Sequence, residues 1–472
     1  MTASTIDRDG VGDDRGFDVV DLGVVRRLRA AVNTGLDEYA KNQQHPLSRD
    51  AQRQLAMHLI TVELERLTFT AARDGAGLMS EEQEHATRNA VLAAMFGLGR
   101  LENLLRIRNV EDIYIPGTGE VRLKFADGRQ ETRPPVAETA EDLLAQLRSI
   151  ATHHGQNERS VTSARPWLDL RLPDGSRLAA VWGVTPEPHV TIRRHRHTDI
   201  DLPKLVELGT VSESMAAFLH AAVIGRRSIL VVGPQFAGKT TLLRGLAQSL
   251  PREERFATIE SEYELLLHEL PGRFPNLIPY EARPGTGEVG PDGRPAGEVS
   301  MADIFPTSLR HSLQRTVTGE IRGAEVIPVL TAMARGYRGS MATFHANSAR
   351  DTFQALASTM ASHAANWNRD AAMQQIATAL DLIVFIDRED TTAGPTRFVA
   401  EILEVGDVAE NGLPQSTMIY GPLKNLIEVD PRGYPQQLPA DPLWARRAGL
   451  DLAWLHPDNG GWPTPFPQRL LT

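Results

Sequence analysis

The sequence predicts an α/β protein whose largest domain has a mainly parallel sheet with helices on both faces. From about Val211, strand-like and helix-like segments alternate, an order that is typical of parallel sheets. The stretch ILVV, at residues 229–232, is continuously apolar, as expected of a strand that is buried on both faces. A glycine-containing loop follows it directly and precedes a helix with one apolar face.

The preceding sequence predicts smaller units. Residues 1–25 are rich in Asp, Gly and Arg and are expected to form a disordered tail. Residues 26–92 show helical spacing of apolar residues and predict about three helices, one of them starting after Ser80. Residues 93–200 contain short alternating runs separated by Asp-Gly turns, which predict a small α+β domain.

The parallel-sheet domain is expected to span residues 201–428, beginning with a linker, DIDLPKLVELG. It is interrupted by a long Gly/Pro-rich loop around residues 279–300, and loops of this length are usually mobile or functional. Residues 429–472 form a Pro-rich tail with three tryptophans, to which the sequence assigns no role.

Composition restricts the possible functions. The net charge is −10, whereas nucleic-acid-binding domains usually have a basic face, so nucleic acid is an unlikely partner. The chain contains no cysteine, which excludes disulfides and cysteine-based zinc sites. The N-terminus lacks a signal-like segment, and the longest apolar runs are much shorter than the ~20 residues that span a bilayer. We therefore expect a cytoplasmic protein whose association with a membrane would be peripheral.

The loop after ILVV has the frame of a phosphate-binding loop. In such loops glycines allow a tight turn and close approach of backbone N–H groups, the lysine reaches the β- and γ-phosphates, and the Thr hydroxyl binds Mg²⁺. The sequence therefore predicts a site for ATP and Mg²⁺. The residues predicted to bind the nucleotide are Gly233, Pro234, Gln235, Phe236, Ala237, Gly238, Lys239, Thr240 and Thr241.

Phe236 is unusual in this loop, because many such loops have a small residue or glycine there. A phenylalanine does not readily adopt a positive φ angle. The sequence therefore predicts nucleotide binding more firmly than hydrolysis.

Two further strands are each expected to end in a polar side chain at the edge of the sheet where ligands bind. TVTGE ends in Glu320, which could hold the water shell of Mg²⁺ or activate the attacking water. MATFH ends in His345, which could donate to the γ-phosphate. On its position alone, Glu320 would more often be a solvated turn residue than a catalytic one, and a lone histidine is more often structural than catalytic.

These motifs occur in an order that resembles the type II/type IV secretion ATPase superfamily, and most closely its CpaF/TadA branch of Flp (Tad) pilus motors. The resemblance runs from about Ala93 to Val405 and depends on several motifs rather than on one. The segments that carry it are MFGLGRLENLL, LRLPDGSRLAAV, VTIRRH, GPQFAGKTTLL, TIESEYEL, YEARP, TGEIRGAE and GYRGSMATFHANSARD.

The resemblance implies a homo-hexameric ring of RecA-like domains, with ATP bound between the N-terminal and C-terminal domains and Mg²⁺ held by Thr240 and Glu320. It adds Glu260 to the catalytic candidates. It also implies that arginines from the N-terminal domain or from a neighbouring subunit complete the site, where guanidinium groups would neutralise developing charge on the phosphate. The matching positions, which could each also be plain surface arginines, are Arg171, Arg193, Arg283 and Arg322.

The chain departs from the family pattern at three places around this site. The acidic box has Ser261 where the family has an aspartate, residues 312–315 read SLQR where the family has RPDR, and Phe236 replaces the inner glycine of the loop. These changes bear on the rate of hydrolysis.

The favoured interpretation is a hexameric ATPase, peripheral at the inner face of the cell membrane, that drives pilin assembly or protein export through an integral-membrane platform protein. One alternative is a nucleotide-binding structural or regulatory subunit with weak or no hydrolysis. A less favoured alternative is a DNA-translocating motor.

Overall fold

The computed structural model describes residues 21–41, 49–75, 77–96, 98–154, 166–194, 200–285, 289–291, 293–364, 367–423 and 430–470. The chain divides into two compact units, Met1–Arg196 and His197–Thr472. Within the described ranges, no helix is both long enough and apolar enough to cross a bilayer.

The first unit begins with three helices that pack on one another. They are α1 (Leu22–Lys41), α2 (Arg49–Arg73) and α3 (Glu81–Phe96). The prediction of a helix after Ser80 is confirmed: Ser80 N–H donates to Gln83 Oε1 and Gln83 N–H donates to Ser80 Oγ, a reciprocal pair that caps the helix. Their core consists of Leu28, Val32, Ala56, Ile60, Leu64, Val91 and Met95.

The predicted disordered tail extended to residue 25, but its last four residues are helical, so the prediction is wrong for residues 22–25. Helix α1 begins at Leu22, because the Asp21 carboxylate accepts hydrogen bonds from the N–H groups of Gly23 and Val24 and so caps the helix. The acidic composition suggested disorder, whereas this aspartate starts a helix. Residues 1–20 lie outside the described residues.

The rest of the first unit is an α+β arrangement. Its described part contains a six-stranded antiparallel sheet of strand order β3-β2-β1-β6-β5-β4. Gly128 and Gly175 have φ angles of +87° and +85° in the predicted Asp-Gly turns. The elements are α4 (Leu101–Arg106), β1 (Val110–Pro116), β2 (Val121–Phe125), β3 (Gln130–Arg133), α5 (Ala140–His154), β4 (Trp167–Arg171), β5 (Arg177–Val181) and β6 (His189–Arg193).

The second unit alternates helices and strands as the sequence predicts. Its elements are α6 (Leu202–Glu207), α7 (Glu213–Ile224), β7 (Ile229–Gly233), α8 (Lys239–Ala247), β8 (Phe256–Glu260), β9 (Ile278–Glu281), α9 (Met301–Ser308), β10 (Arg315–Ile321), α10 (Val326–Ala334), β11 (Met341–His345), α11 (Asp351–His363), α12 (Arg369–Ala379), β12 (Leu382–Thr391), β13 (Gly394–Val408), β14 (Pro414–Gly421), β15 (Tyr434–Pro435) and α13 (Leu443–Arg447). Helix α6 falls in the predicted linker, where the Asp201 carboxylate caps it.

The described strands of this unit form a nine-stranded sheet of order β15-β14-β13-β12-β7-β11-β10-β8-β9. The run from β12 to β9 is parallel, and β13, β14 and β15 extend it as an antiparallel edge. Strand β7 lies inside the parallel part, and its Ile229 and Val231 face one core while Leu230 and Val232 face the other. This confirms the predicted α/β class, a RecA-like parallel sheet covered on both faces.

The C-terminal segment is less of a tail than its Pro-rich sequence suggests. Trp444, Leu450 and Leu455 are buried in one of the two cores of the second unit. The ring of Trp444 lies 5.7 Å from that of Phe218 on α7, and Trp462 Nε1 donates to the Gly433 carbonyl. Residues 430–470 therefore pack onto the sheet domain. The sequence pattern missed this because irregular segments have no periodicity that marks their buried residues.

Candidate nucleotide-binding site

The phosphate-binding loop leaves the C-terminal end of β7, between β12 and β11. Gly233 ends the strand in a place where no side chain fits: a Cβ there would lie 2.1 Å from the carbonyl oxygen of Ile386 on β12. A glycine is therefore needed for the loop to pass this close to its neighbour.

Two residues of the loop have positive φ angles, Phe236 at +66° and Gly238 at +96°. The sequence suggested that a phenylalanine would not take such a conformation comfortably, yet it does so here, with 46% of its surface exposed. A left-handed conformation costs a non-glycine residue about 1–2 kcal/mol. The surrounding contacts must supply that energy.

Helix α8 starts directly after the loop, with Gly238 as its N-cap and no side chain that caps it. The N–H groups of its first turn therefore point towards the loop without a side-chain acceptor. Lys239, the first helical residue, is only 7% exposed, and its Nζ donates to the carbonyl oxygens of Gly233 (3.2 Å) and Pro234 (2.9 Å). The loop, the helix N-terminus and this buried ammonium together offer N–H donors and positive charge that suit phosphate groups.

The two strand-end side chains predicted from the sequence meet this lysine. Lys239 Nζ lies 3.2 Å from His345 Nδ1, and His345 Nε2 lies 2.6 Å from Glu320 Oε1. An ammonium group can only donate, so Nδ1 is the acceptor and the ring proton is on Nε2, which donates it to the carboxylate. A neutral imidazole thus connects the loop lysine to the strand-end glutamate.

The pKa shifts agree with this protonation pattern. Burial lowers the pKa of Lys239 to about 8, although the Glu320 and Glu264 carboxylates oppose the shift. Burial and the charge of Lys239 also hold the pKa of His345 below its ordinary value, against the effect of Glu320. At neutral pH the lysine is therefore mainly charged and the histidine neutral.

Glu260, at the end of β8, is buried and has a backbone-holding role. Its Oε2 accepts hydrogen bonds from the N–H groups of Glu264 and Leu265, each at 2.8 Å. Gly319 on β10 makes room for it, since a Cβ at that position would lie 3.0 Å from Glu260 Cγ. The neighbouring Ser261 is exposed.

Arg244 on α8 is a residue that the sequence reasoning missed. It is 4% exposed, and its guanidinium donates to the carbonyl oxygens of Leu265, at 2.8 Å, and Glu264. The turn that follows Glu260 is thus held through its amides by Glu260 and through its carbonyls by Arg244. The detectable signal was an arginine among the apolar residues of the segment TTLLRGLA.

The predicted arginines occupy different surroundings. The guanidinium of Arg322 pairs with Glu320, and its side chain is 67% exposed. Arg283 lies in the long loop, where its Nε donates to the Gly297 carbonyl at 2.8 Å. In the first unit, Arg171 ends β4, and Arg193 Nε lies 3.2 Å from the buried carboxylate of Asp112. The structure therefore brings Arg322 together with Glu320, His345 and the loop, and the roles of the other three stay predictions.

The residues present fit a nucleoside triphosphate. The uncapped N-terminus of α8 and the buried Lys239 offer N–H donors and positive charge to phosphate oxygens. In the described part of the chain no three His, Cys, Asp or Glu side chains are grouped so that they could hold a metal ion. The hydroxyl of Thr240 and the carboxylate of Glu320 are oxygen groups of the kind that could hold Mg²⁺ beside phosphate oxygens, since Mg²⁺ is usually bound by few protein ligands together with substrate phosphates.

Residues 97–396 match the family described as "Type II/IV secretion system protein". The chain belongs to this family. The match covers every residue predicted for the site, and it confirms the superfamily that the motifs resemble.

The individual proteins that this chain resembles share about a third of its residues or fewer over the aligned regions. A putative conjugal transfer protein of Mycobacterium tuberculosis is 28% identical over 324 residues, which cover 66% of this chain and 86% of the relative. Protein VirB11 of Agrobacterium fabrum is 32% identical over 196 residues, or 41% of this chain and 51% of VirB11. Among solved structures, the ATPase DotB of Legionella pneumophila aligns with a TM-score of 0.46 and 18% identity, over 70% of this chain and 84% of that one.

Proposed function

We propose that this chain is an ATPase that couples ATP hydrolysis to pilin assembly or protein export through a membrane platform. The observation that carries the proposal is the connection from Lys239 through His345 to Glu320 at the N-terminus of α8, with N–O and N–N distances of 2.6 and 3.2 Å. An ammonium group and a carboxylate meet there at one end of the parallel sheet, which supports roles for them in binding phosphate and in activating water.

In the proposed mechanism the loop and the first turn of α8 bind the phosphates, and Lys239 contacts the β- and γ-phosphates. Bound Mg²⁺ would neutralise phosphate charge as the γ-phosphoryl group is transferred. Glu320 orients the attacking water and accepts its proton. His345 keeps that carboxylate in place through the 2.6 Å contact, and its neutral imidazole accepts a hydrogen bond from Lys239.

Arg322 adds a guanidinium beside the base. It pairs with Glu320 and is largely exposed, so its side chain can turn towards a γ-phosphate without disturbing the core. Arg171, Arg193 and Arg283 are proposed as further arginines that complete the site within a ring, as the family resemblance implies.

The finer assignments rest on the resemblance and on the names of the relatives. A VirB11 relative from Brucella suis is named a type IV secretion system protein, and it is 30% identical over 42% of this chain. We propose a homo-hexamer of the CpaF/TadA type, located in the cytoplasm at the inner face of the membrane and bound there to an integral-membrane platform. The net charge of −10 disfavours a DNA-translocating role.

A second candidate is a nucleotide-binding regulatory subunit that hydrolyses ATP slowly or not at all. It is favoured by Phe236, whose φ of +66° strains the loop, and by Ser261, which leaves the acidic box one carboxylate short. Either change could reduce turnover while leaving binding intact.

The deciding experiment is steady-state phosphate release by the purified full chain, with its mass in solution determined with and without Mg-ATP. The motor proposal expects release that stops when Mg²⁺ is chelated and a ring population that grows with nucleotide by mass action. Nucleotide binding without release would support the regulatory subunit. A chain that stays monomeric at micromolar concentration in saturating Mg-ATP would contradict the ring.

A further inference from the structure

Arg397 on β13 lies on the phosphate-binding loop, although no motif includes it and the family match ends at residue 396. Its Nε donates to the carbonyl oxygen of Phe236 at 3.0 Å. Its Cδ lies 3.3 Å from the position that a Cβ on Gly238 would take. One side chain thus bonds Phe236 and lies beside Gly238, the two loop residues that have positive φ angles.

The contact with Phe236 is made where the backbone is least favourable. A phenylalanine with a φ of +66° occupies a region that is roughly tenfold less populated than right-handed or extended conformations. A hydrogen bond from a guanidinium to the carbonyl of that residue is stronger than one between neutral groups. It is available only while the loop keeps this conformation, so it favours the strained form over relaxed alternatives.

The left-handed Phe236 belongs to the loop conformation in which Lys239 reaches the carbonyls of Gly233 and Pro234. In the same conformation α8 starts with Gly238 at a φ of +96°. If Phe236 relaxed, these neighbours would shift and the binding-competent fraction of the protein would fall. The apparent dissociation constant rises in proportion as that fraction falls.

We propose that Arg397 is a positioning residue that holds the phosphate-binding loop in its nucleotide-competent conformation and thereby compensates for phenylalanine at position 236. This inference rests on the proposed nucleotide site. It means that a residue of the antiparallel edge of the sheet supports the phosphate-binding loop. The guanidinium acts through the carbonyl of Phe236, while the aliphatic part of the side chain lies beside Gly238.

The proposal makes the two residues interdependent. Glycine adopts positive and negative φ angles about equally well, so a loop with Phe236→Gly needs less help to reach the same conformation. Loss of the Arg397 donor should therefore weaken nucleotide binding when residue 236 is phenylalanine and weaken it much less when residue 236 is glycine. A side chain that merely stabilised the hairpin would weaken both backgrounds equally.

The test is a double-mutant cycle on the full chain with Mg-ADP as the probe, in which dissociation constants are measured at equilibrium. Arg397→Met keeps the stem and removes the donor, and we expect it to weaken Mg-ADP binding roughly five- to tenfold. In the Phe236→Gly background the same change should weaken binding less than about twofold. If the Arg397→Met protein does not fold, Arg397→Ala takes its place, and the same dissociation constants are measured for it in both backgrounds.

The matched control is Arg388→Met on β12, because Arg388 lies opposite Arg397 in the hairpin but bonds Asp390 on its own strand. Its Mg-ADP affinity should stay within about twofold of wild type. Equal losses in both backgrounds, or no loss in Arg397→Met, overturn the proposal while wild-type binding still supports the nucleotide site. If wild type does not bind Mg-ADP, the proposed function is wrong and this inference with it.

Discussion

Lys239 Nζ lies 3.2 Å from Nδ1 of His345, a residue 106 positions further along the chain. Because the ammonium can only donate, this contact requires a neutral histidine whose remaining proton goes to Glu320. The loop and the two strand ends therefore behave as one connected site, and its electrostatics can be tested through any of the three residues.

Glu320→Gln should bind ATP about as tightly as wild type and hydrolyse it roughly 10²- to 10⁴-fold more slowly. The amide keeps an acceptor for His345 Nε2 but is no longer a base. Nucleotide affinity and phosphate release should be measured on the same preparation. Glu253→Gln, which changes a 71% exposed carboxylate, is the control and should leave both unchanged.

Two other results for Glu320→Gln would redirect the assignment. If ATP binding is lost altogether, Glu320 is structural and the base must be sought at Glu260. If wild type and variant release phosphate at the same negligible rate, the chain is a binding subunit.

Lys239→Ala should abolish nucleotide binding while the protein remains folded. The substitution removes a buried charge that is directed at phosphate, and its carbonyl partners in the loop are Gly233 and Pro234, not core groups. Equilibrium nucleotide binding and a thermal unfolding curve together check this. Lys204→Ala on α6, where the lysine pairs with Glu207 at the surface, should bind like wild type. ATPase activity that survives in folded Lys239→Ala would remove the loop from the mechanism.

Nucleotide affinity should fall as pH rises above about 8. The pKa of Lys239 is lowered to about 8 in the folded protein, and phosphate charge in the bound state should raise it again. Between these two pKa values the complex holds one more proton than the free protein, so binding takes up a proton and weakens as pH rises.

Calorimetry of Mg-ADP binding in buffers of different ionisation enthalpy measures this proton directly. We expect proton uptake near pH 8.5 and little near pH 7. Uptake that is equal at both pH values would mean that another group titrates.

The same lowered pKa bears on stability. In the unfolded chain Lys239 keeps its proton up to its ordinary pKa of 10.5, whereas in the folded chain it loses the proton near pH 8. The contribution of Lys239 to the free energy of unfolding should therefore increase between pH 8 and 10.5.

Phe236→Gly should leave turnover similar to wild type or raise it, because glycine takes the φ of +66° without strain. Phe236→Ala is the informative companion, since it removes the exposed ring but keeps the unfavourable φ. We expect alanine to give no gain. Steady-state phosphate release and thermal unfolding of both variants check this. A Gly variant no faster than the Ala variant would show that the strain at position 236 does not limit turnover, whereas two variants that are both slower than wild type would show that the ring itself is needed.

The sequence by itself determined the features that are local. The continuous apolar run of residues 229–232 marked a strand buried on both faces, and the spacing from Gly233 to Lys239 marked the turn and the helix start. Ser80 marked the start of a helix, and the bonds with Gln83 that cap this helix span only three residues. These signals could be read because each depends on the backbone within a turn or two of the residue concerned.

Only the tertiary structure decided which distant groups meet. Strand order placed β11 beside β7 and so brought His345 to Lys239, and the antiparallel edge brought Arg397 to Phe236. It also buried Trp444 from a segment without regular pattern and allowed Phe236 the φ angle that its residue type disfavours. Such outcomes depend on packing across the sheet, and no local periodicity encodes them, because the free energy that selects them comes from contacts between residues far apart in the chain.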